Sequence, residues 1–221
     1  MGGVLDLFTI LYDPQAVFAR VKEKPRFWGP FLGLAVLQVA IAALMLPYTR
    51  AAMVAMAQAQ GSTTAPPSWA PMIGVIAAPI GLAIGLLIGA GILWMLVSVL
   101  AGEGSFRHLL SVVTYVGITS ILLGVASVAV LMLGGGRVET MADLRPGFGL
   151  DLLVPDATGF VKTFLWTVNP FTLWGLVLTG FGVAGTHNTS KGTAFTIATI
   201  AFVINALIGA GFAMLGGGGA G

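Results

Sequence analysis

PMIGVIAAPIGLAIGLLIGAGILWMLVSVL, Pro71 to Leu100, carries no charged residue from end to end. A hydrocarbon core is crossed by about 20 apolar residues of helix. A helix of a water-soluble domain would keep one polar side over such a length. The stretch therefore reads as a transmembrane helix, tilted or bent. Gly81, Gly85 and Gly89 recur every fourth residue. At about 100° per residue, Gly74, Ala78, Gly81 and Gly85 fall on one nearly bare side. Lipid gains little from such a side, whereas a neighbouring helix can approach it closely. Pro79 removes one backbone hydrogen bond and favours a kink, which neighbouring helices in a membrane can compensate. This reading makes the stretch the central helix of a bundle, with Gly81, Gly85 and Gly89 as helix-packing positions.

The composition agrees: 57% of the 221 residues are hydrophobic and 8% are charged, with a mean hydropathy of +0.99. Soluble domains carry about a quarter charged residues. No cysteine is present, which excludes disulfides, thiol catalysis and cysteine metal sites. A net charge of +2 does not point to nucleic acid.

Outward from the central stretch, residues 1–27 read as a cytoplasmic amphipathic segment. Asp13 and Pro14 form a helix N-cap and first position. Val17, Phe18 and Val21 share an apolar face. Arg20, Lys22, Lys24 and Arg26 are expected to meet lipid headgroups at the membrane surface. The membrane domain, 28–215, is expected to hold five spans, at about 28–46, 71–100, 109–133, 171–185 and 193–215. Pro47 and Tyr48 are expected to end the first. Gly117, Ser120, Gly124 and Ser127 give the third a small side, and Asn169 with Pro170 starts the fourth. Between the third and fourth lies the longest extramembrane segment, which includes Arg137 and Arg145. Residues 216–221, GGGGAG, read as a flexible tail. The fold class is thus all-α: an integral membrane bundle of five transmembrane helices with a short amphipathic N-terminal helix.

Orientation follows from the basic residues. Arg20, Lys22, Lys24 and Arg26, the turn with Arg107 and the turn with Lys191 lie on one side, at high density in short segments. The N-terminus is then cytoplasmic and the C-terminus outside, in a bacterial inner membrane.

Three stretches carry a family resemblance: Asp13, Pro14 and Phe18 with the basic run to Lys24-Pro25; GEGSFRHLLSVVTY, Gly102 to Tyr115; and NPFTLWGLVLTGFG with SKGTAF, Asn169 to Gly182 and Ser190 to Phe195. The chain resembles the Yip-one domain family, the Ypt/Rab-interacting membrane proteins, in its bacterial branch. The resemblance spans about Leu11 to Ala213. It implies five membrane helices and a cytoplasmic N-terminus. In eukaryotic relatives it implies binding of Rab-type GTPases, through a longer soluble N-terminal region and a cytoplasmic motif that this sequence does not show.

Candidate chemistry is sparse. A metal site could draw on His108, His187 and Glu103, but no close-spaced ligand pair supports it, and none is expected. Gly102, Gly104 and Ser105 lack the GxxxxGK[ST] spacing of a phosphate loop, and a tight turn with Ser105 capping the third span is expected. Ser120 and Ser127 have no acid nearby for hydrolase chemistry. Gln38 and Asn205 are intramembrane amides that read as interhelical contacts or as part of a solute path. No ionisable residue lies deep in a span, unlike ion- or proton-coupled pumps. No catalytic residue and no cofactor is expected. The function expected is that of a non-enzymatic membrane organiser or docking platform. Its partners are membrane lipids and a cytoplasmic protein, with a homo-oligomer also weighed. Arg20, Lys22, Lys24, Arg26, Arg107, His108, His187 and Lys191 are its contact residues. The alternative is a small-solute or lipid transporter or channel. A transporter should leave an open cavity lined by Gln38, Thr172, Thr179 or Asn205; an organiser should be a closed, dry bundle.

Overall fold

The computed structural model describes residues 2–135 and 138–215. Arg137 and the 216–221 tail read above lie outside the described residues. Every regular element among the described residues is helical: α1 (Gly2–Thr9), α2 (Pro14–Glu23), α3 (Trp28–Ala59), α4 (Ala70–Leu100), α5 (Phe106–Val116), α6 (Ile118–Leu133), α7 (Gly159–Thr167), α8 (Pro170–Thr186) and α9 (Lys191–Leu215), with two 3-10 turns at Met141–Leu144 and Leu150–Leu153. Four stretches are long and apolar enough to cross a membrane: α3, α4, α5 with α6, and Lys191–Phe212 of α9. A fifth arises if α7 and α8, bent by 59° at their junction, make one broken span. Ile76, Val99 and Leu133, at 71%, 75% and 88% exposure, face outward. Such residues suit contact with lipid tails.

Local chemistry explains the helix starts. Asp13 accepts the Ala16 N–H at 3.1 Å, with Pro14 at the first helical position. Asn169 is buried at the α7–α8 bend. Its Oδ1 accepts the N–H groups of Phe171 and Thr172 at 3.0 and 3.1 Å, and its Nδ2 donates to the Trp166 carbonyl at 3.0 Å. One side chain thus caps a new helix and satisfies the end of the previous one.

Three expectations need correction. α3, the first expected span, does not stop at Leu46 but runs through Pro47 to Ala59. The proline removes one bond, and the Ala-, Met- and Gln-rich residues beyond it are strong helix formers that continue the turn. Second, α2, expected as a helix on the membrane surface, is packed into the bundle by its apolar face. Val17, Phe18 and Val21 are buried in the protein. They share one core with Leu7 and Ile10, Leu34 of α3, Val112 and Tyr115 of α5, and Leu178 of α8. Third, Gly81 and Gly85 of α4 are not close helix contacts, and Gly89 makes only an ordinary one. A Cβ built on Gly81 or Gly85 meets no atom within 4 Å, and one on Gly89 only reaches Val113 at 3.9 Å. The close approaches are elsewhere. A Cβ on Gly117 would lie 2.9 Å from Leu34, one on Gly124 3.0 Å from Ile41, and one on Gly182 would overlap Val112 and Phe18. A second core joins Leu93 and Val97 of α4 to Leu109, Val183 and Ile197.

Gly182→Ala should therefore destabilise the protein by about 1–3 kcal/mol, as overpacking does, whereas Gly85→Ala should leave the melting temperature in detergent unchanged. Parallel melts followed by circular dichroism check this. Equal loss in both variants would mean that α4 packs through its glycines.

Candidate functional site: a basic face knitted by histidines

The beginning of the chain, the α4–α5 turn and the α8–α9 turn meet at one end of the bundle. Arg20 of α2 holds Asp6 of α1, with Nη2 2.7 Å from Oδ1 and Nε 3.4 Å from Oδ2. The hydrogen bond to Asp6 raises the Arg20 pKa further above its ordinary value. In the same last turn of α2, the Lys22 ammonium donates to Asn188 Oδ1 at 3.3 Å, and His108 Nε2 lies 3.1 Å from the Lys22 carbonyl. A carbonyl only accepts, so this nitrogen carries the proton. His108 Nδ1 sits 2.7 Å from Ser105 Oγ, a hydroxyl that can donate to it or accept from it.

His187 is more constrained. The Ser105 N–H donates to its Nε2 at 3.1 Å. Its Nδ1 lies 2.9 Å from Thr186 Oγ1, whose own proton goes to the Gly182 carbonyl at 2.6 Å. Nδ1 must therefore be the donor and Nε2 the acceptor, which is the neutral ring. A proton on Nε2 would face the Ser105 N–H. Burial pushes the His187 pKa below its ordinary 6.5, with the nearby His108 and Lys22 pushing the same way.

This geometry sorts the predicted contact residues. Arg20, His108 and His187 make internal hydrogen bonds, and His187 is only 7% exposed. Lys22 is exposed but bonded to Asn188. Lys24, Arg26, Arg107 and Lys191 are exposed, and among the described residues the one ion pair is Arg20–Asp6. The two imidazole centroids are 6.3 Å apart, yet among the described residues no three His, Asp or Glu side chains are grouped to hold a metal ion. Ser105 stands at the N-cap position of α5 but gives it no side-chain cap; its hydroxyl is turned to His108. Asp6 and Thr186 were not foreseen. Their roles depend on partners brought in by the fold, and no sequence spacing marks them.

The bundle is not closed. A cavity of about 390 Å³ lies between α4, α5, α6, α8 and α9, and its lining includes Gly85, Ser120, Thr172, Thr179, Phe202 and Asn205. Gln38 is absent from it and makes no side-chain hydrogen bond among the described residues. Thr179 donates to the Gly175 carbonyl at 2.8 Å and Asn205 Nδ2 to the Ala201 carbonyl at 2.8 Å. These bonds lie within single helices. Asn205 is therefore not the interhelical contact expected, and the cavity offers few unmet donors.

With that architecture in view, comparison with known proteins is decisive for ancestry. The Yip1 domain matches residues 8–213. The chain belongs to the Yip1 domain family. The match takes in α2 and the α4–α5 and α8–α9 turns, but begins after Asp6 of α1. The chain is also similar to "Membrane protein YknW" of Bacillus subtilis (strain 168), with 28% identity over 205 residues, covering 90% of this chain and 85% of that protein. No solved structure matches. This Yip1 protein is thus an integral membrane protein of a family with bacterial members, as the sequence resemblance implied.

The neutral state of His187 gives a pH signature. Its lowered folded pKa means that the unfolded chain binds the extra proton first as pH falls. Its contribution to stability is present above about pH 6.5 and is lost as the pH drops below it. The melting temperature should fall between pH 7.5 and 5.5, and His187→Gln, which cannot titrate, should reduce that fall. A slope unchanged in the variant would assign the pH response to other groups.

Proposed function

We propose that this Yip1 protein is a non-enzymatic membrane organiser, with its basic face in the cytoplasm docking a protein partner against acidic lipid. The observation that carries this reading is the joining of three segments, far apart in the chain, into one surface by the Lys22–Asn188, His108–Lys22 and Ser105–His187 hydrogen bonds. A held surface loses less entropy on binding than a loose one. Lys24, Arg26, Arg107 and Lys191 supply its exposed charge. Each basic group near an anionic membrane gains about 1 kcal/mol, within a Debye length of the surface. His108, His187 and Arg20 shape the platform from within.

Two measurements test it. Single cysteines are introduced as Arg107→Cys or Asp156→Cys, in a chain that has none. An impermeant thiol reagent added to intact cells should label position 156 and not 107. The reverse would put the basic face outside and end the cytoplasmic reading. Next, Lys24, Arg26, Arg107 and Lys191 are changed together to Gln. Partners recovered from native membranes should be lost, while orientation and the melting temperature are kept. An unchanged partner set would remove this face from consideration.

Passage of a lipid or small apolar solute is the second reading, and the cavity between α4, α5, α6, α8 and α9 favours it. As an organiser, the protein reconstituted in vesicles should not move a fluorescent phospholipid between leaflets. Movement that Gly85→Trp abolishes would put transport first.

A further inference from the structure

At the other end of the bundle, the segment after α6 folds back as a built structure. Thr140 and Asp143 form a capping box on the first 3-10 turn. Asp143 Oδ2 accepts the N–H groups of Glu139 and Thr140 at 2.9 and 2.7 Å. Burial pushes the Asp143 pKa up, but these bonds, the Thr140 hydroxyl and the Lys162 charge together bring it below its ordinary value. Farther on, Gly149 donates to Asp151 Oδ1 at 3.0 Å, and Leu150 donates to the Val168 carbonyl at 3.1 Å. A Cβ on Gly149 would lie 2.6 to 2.9 Å from three carbonyls at the end of α7, so the segment is seated directly on that helix end.

Between this segment, α7 and the last turns of α9 lies a cavity of about 580 Å³, within the range of about 300–1,000 Å³ for small-molecule sites. Its walls include Leu144, Arg145, Asp151, Lys162, Trp166 and Phe212. An adjoining hollow of about 520 Å³ shares Arg145, Asp151 and Lys162 and adds Asp143. The Trp166 indole is fixed by donating to the Pro146 carbonyl at 3.1 Å, and the Arg145 guanidinium lies 5.9 Å from the centre of its ring. Among the described residues neither Arg145 nor Lys162 is in an ion pair, while the two acids accept backbone N–H groups. The cavity thus offers two cations beside an aromatic and aliphatic wall. Gly209 of α9 also lines it, and a Cβ there meets no atom within 4 Å. The cavity lies where helices end, which is headgroup depth in a bilayer.

We propose that this cavity binds the headgroup of a glycerophospholipid, with its phosphate between Arg145 and Lys162 and an acyl chain leaving past Trp166 and Phe212 along α9. A free phosphate ester shares the phosphate chemistry but has no use for the apolar wall. With Asp143 and Asp151 ionised, the four charged groups sum to zero, so a single phosphate suits the site better than a polyanion. The inference does not depend on the role of the basic face.

The test uses the full chain purified in mild detergent, with phosphatidylglycerol, phosphatidylethanolamine, phosphatidylcholine and inorganic phosphate as separate probes, read by native mass spectrometry and thermal shift. Phospholipid should remain bound and raise the melting temperature; inorganic phosphate should do neither. Arg145→Gln with Lys162→Gln should lower the lipid-bound fraction by about tenfold, as expected for losing one charge-assisted hydrogen bond or more. Gly209→Leu should lower it too, with no change in the lipid-free melting temperature. Arg50→Gln, an exposed cation outside the basic face and outside the lining of either hollow, should leave it intact. Equal lipid retention in the Arg145 and Lys162 variant would overturn the assignment. So would an equal loss in Arg50→Gln, or stabilisation by inorganic phosphate alone.

Discussion

The seating of Phe18 in a glycine notch is the contact on which one half of the molecule depends. An amphipathic helix beside a membrane has two places for its apolar side, the bilayer or the protein. Gly182 and Gly185 of α8 decide for the protein, because their missing side chains leave the space that the Phe18 ring and Cβ occupy. Phe18 is 1% exposed as a result. Once α2 is held there, its Lys22 carbonyl is within reach of His108 and its ammonium within reach of Asn188. The same seating turns Arg20 to Asp6 and so fixes α1, whose Leu7 fills the space over Gly33 of α3. The hydrogen bonds of the basic face follow from this apolar contact.

The sequence was legible wherever the cause is local or the solvent imposes it. A bilayer demands long apolar helices, so α4 stands out in its own residues. Asn169 with Pro170 caps α8 as the pair itself dictates. Glycine spacing is another matter. It says that one side of a helix is bare, but not what stands opposite. The small side at Gly117 and Gly124 meets Leu34 and Ile41, whereas the equally regular side at Gly81 and Gly85 meets no protein atom. The destination of α2 was hidden for a similar reason, since its apolar face fits lipid and protein alike. His187 reads as a polar turn residue, yet the α4–α5 turn covers it and Ser105 fixes its tautomer from 82 positions away. No pattern within the turn could show that.

The two ends of this Yip1 protein are built by different means. One is held by side chains reaching across helices, and both of its histidines are part of the framework. The other is held chiefly by backbone, with carboxylates gathering N–H groups and a loop glycine pressed on helix carbonyls. Between them, Thr179 and Asn205 of the cavity wall donate within their own helices, and Thr172 of α8 donates to the Thr167 carbonyl of α7. Among the described residues no charged side chain is in that wall, whereas the path of a coupled ion is usually marked by one.

The Phe18 notch also sets an order of assembly. Lys22 and the Asn188 it reaches are 166 residues apart, and α2 leaves the ribosome long before α8 exists. At about 5–20 residues per second, the wait is on the order of ten to thirty seconds. Through that interval α2 can meet Leu7, Leu34 and then Val112 and Tyr115, but the glycine seat for Phe18 does not yet exist. The packing of α2 is complete only once α8 has been made, so the first part of the chain to be synthesised is among the last to be locked in place.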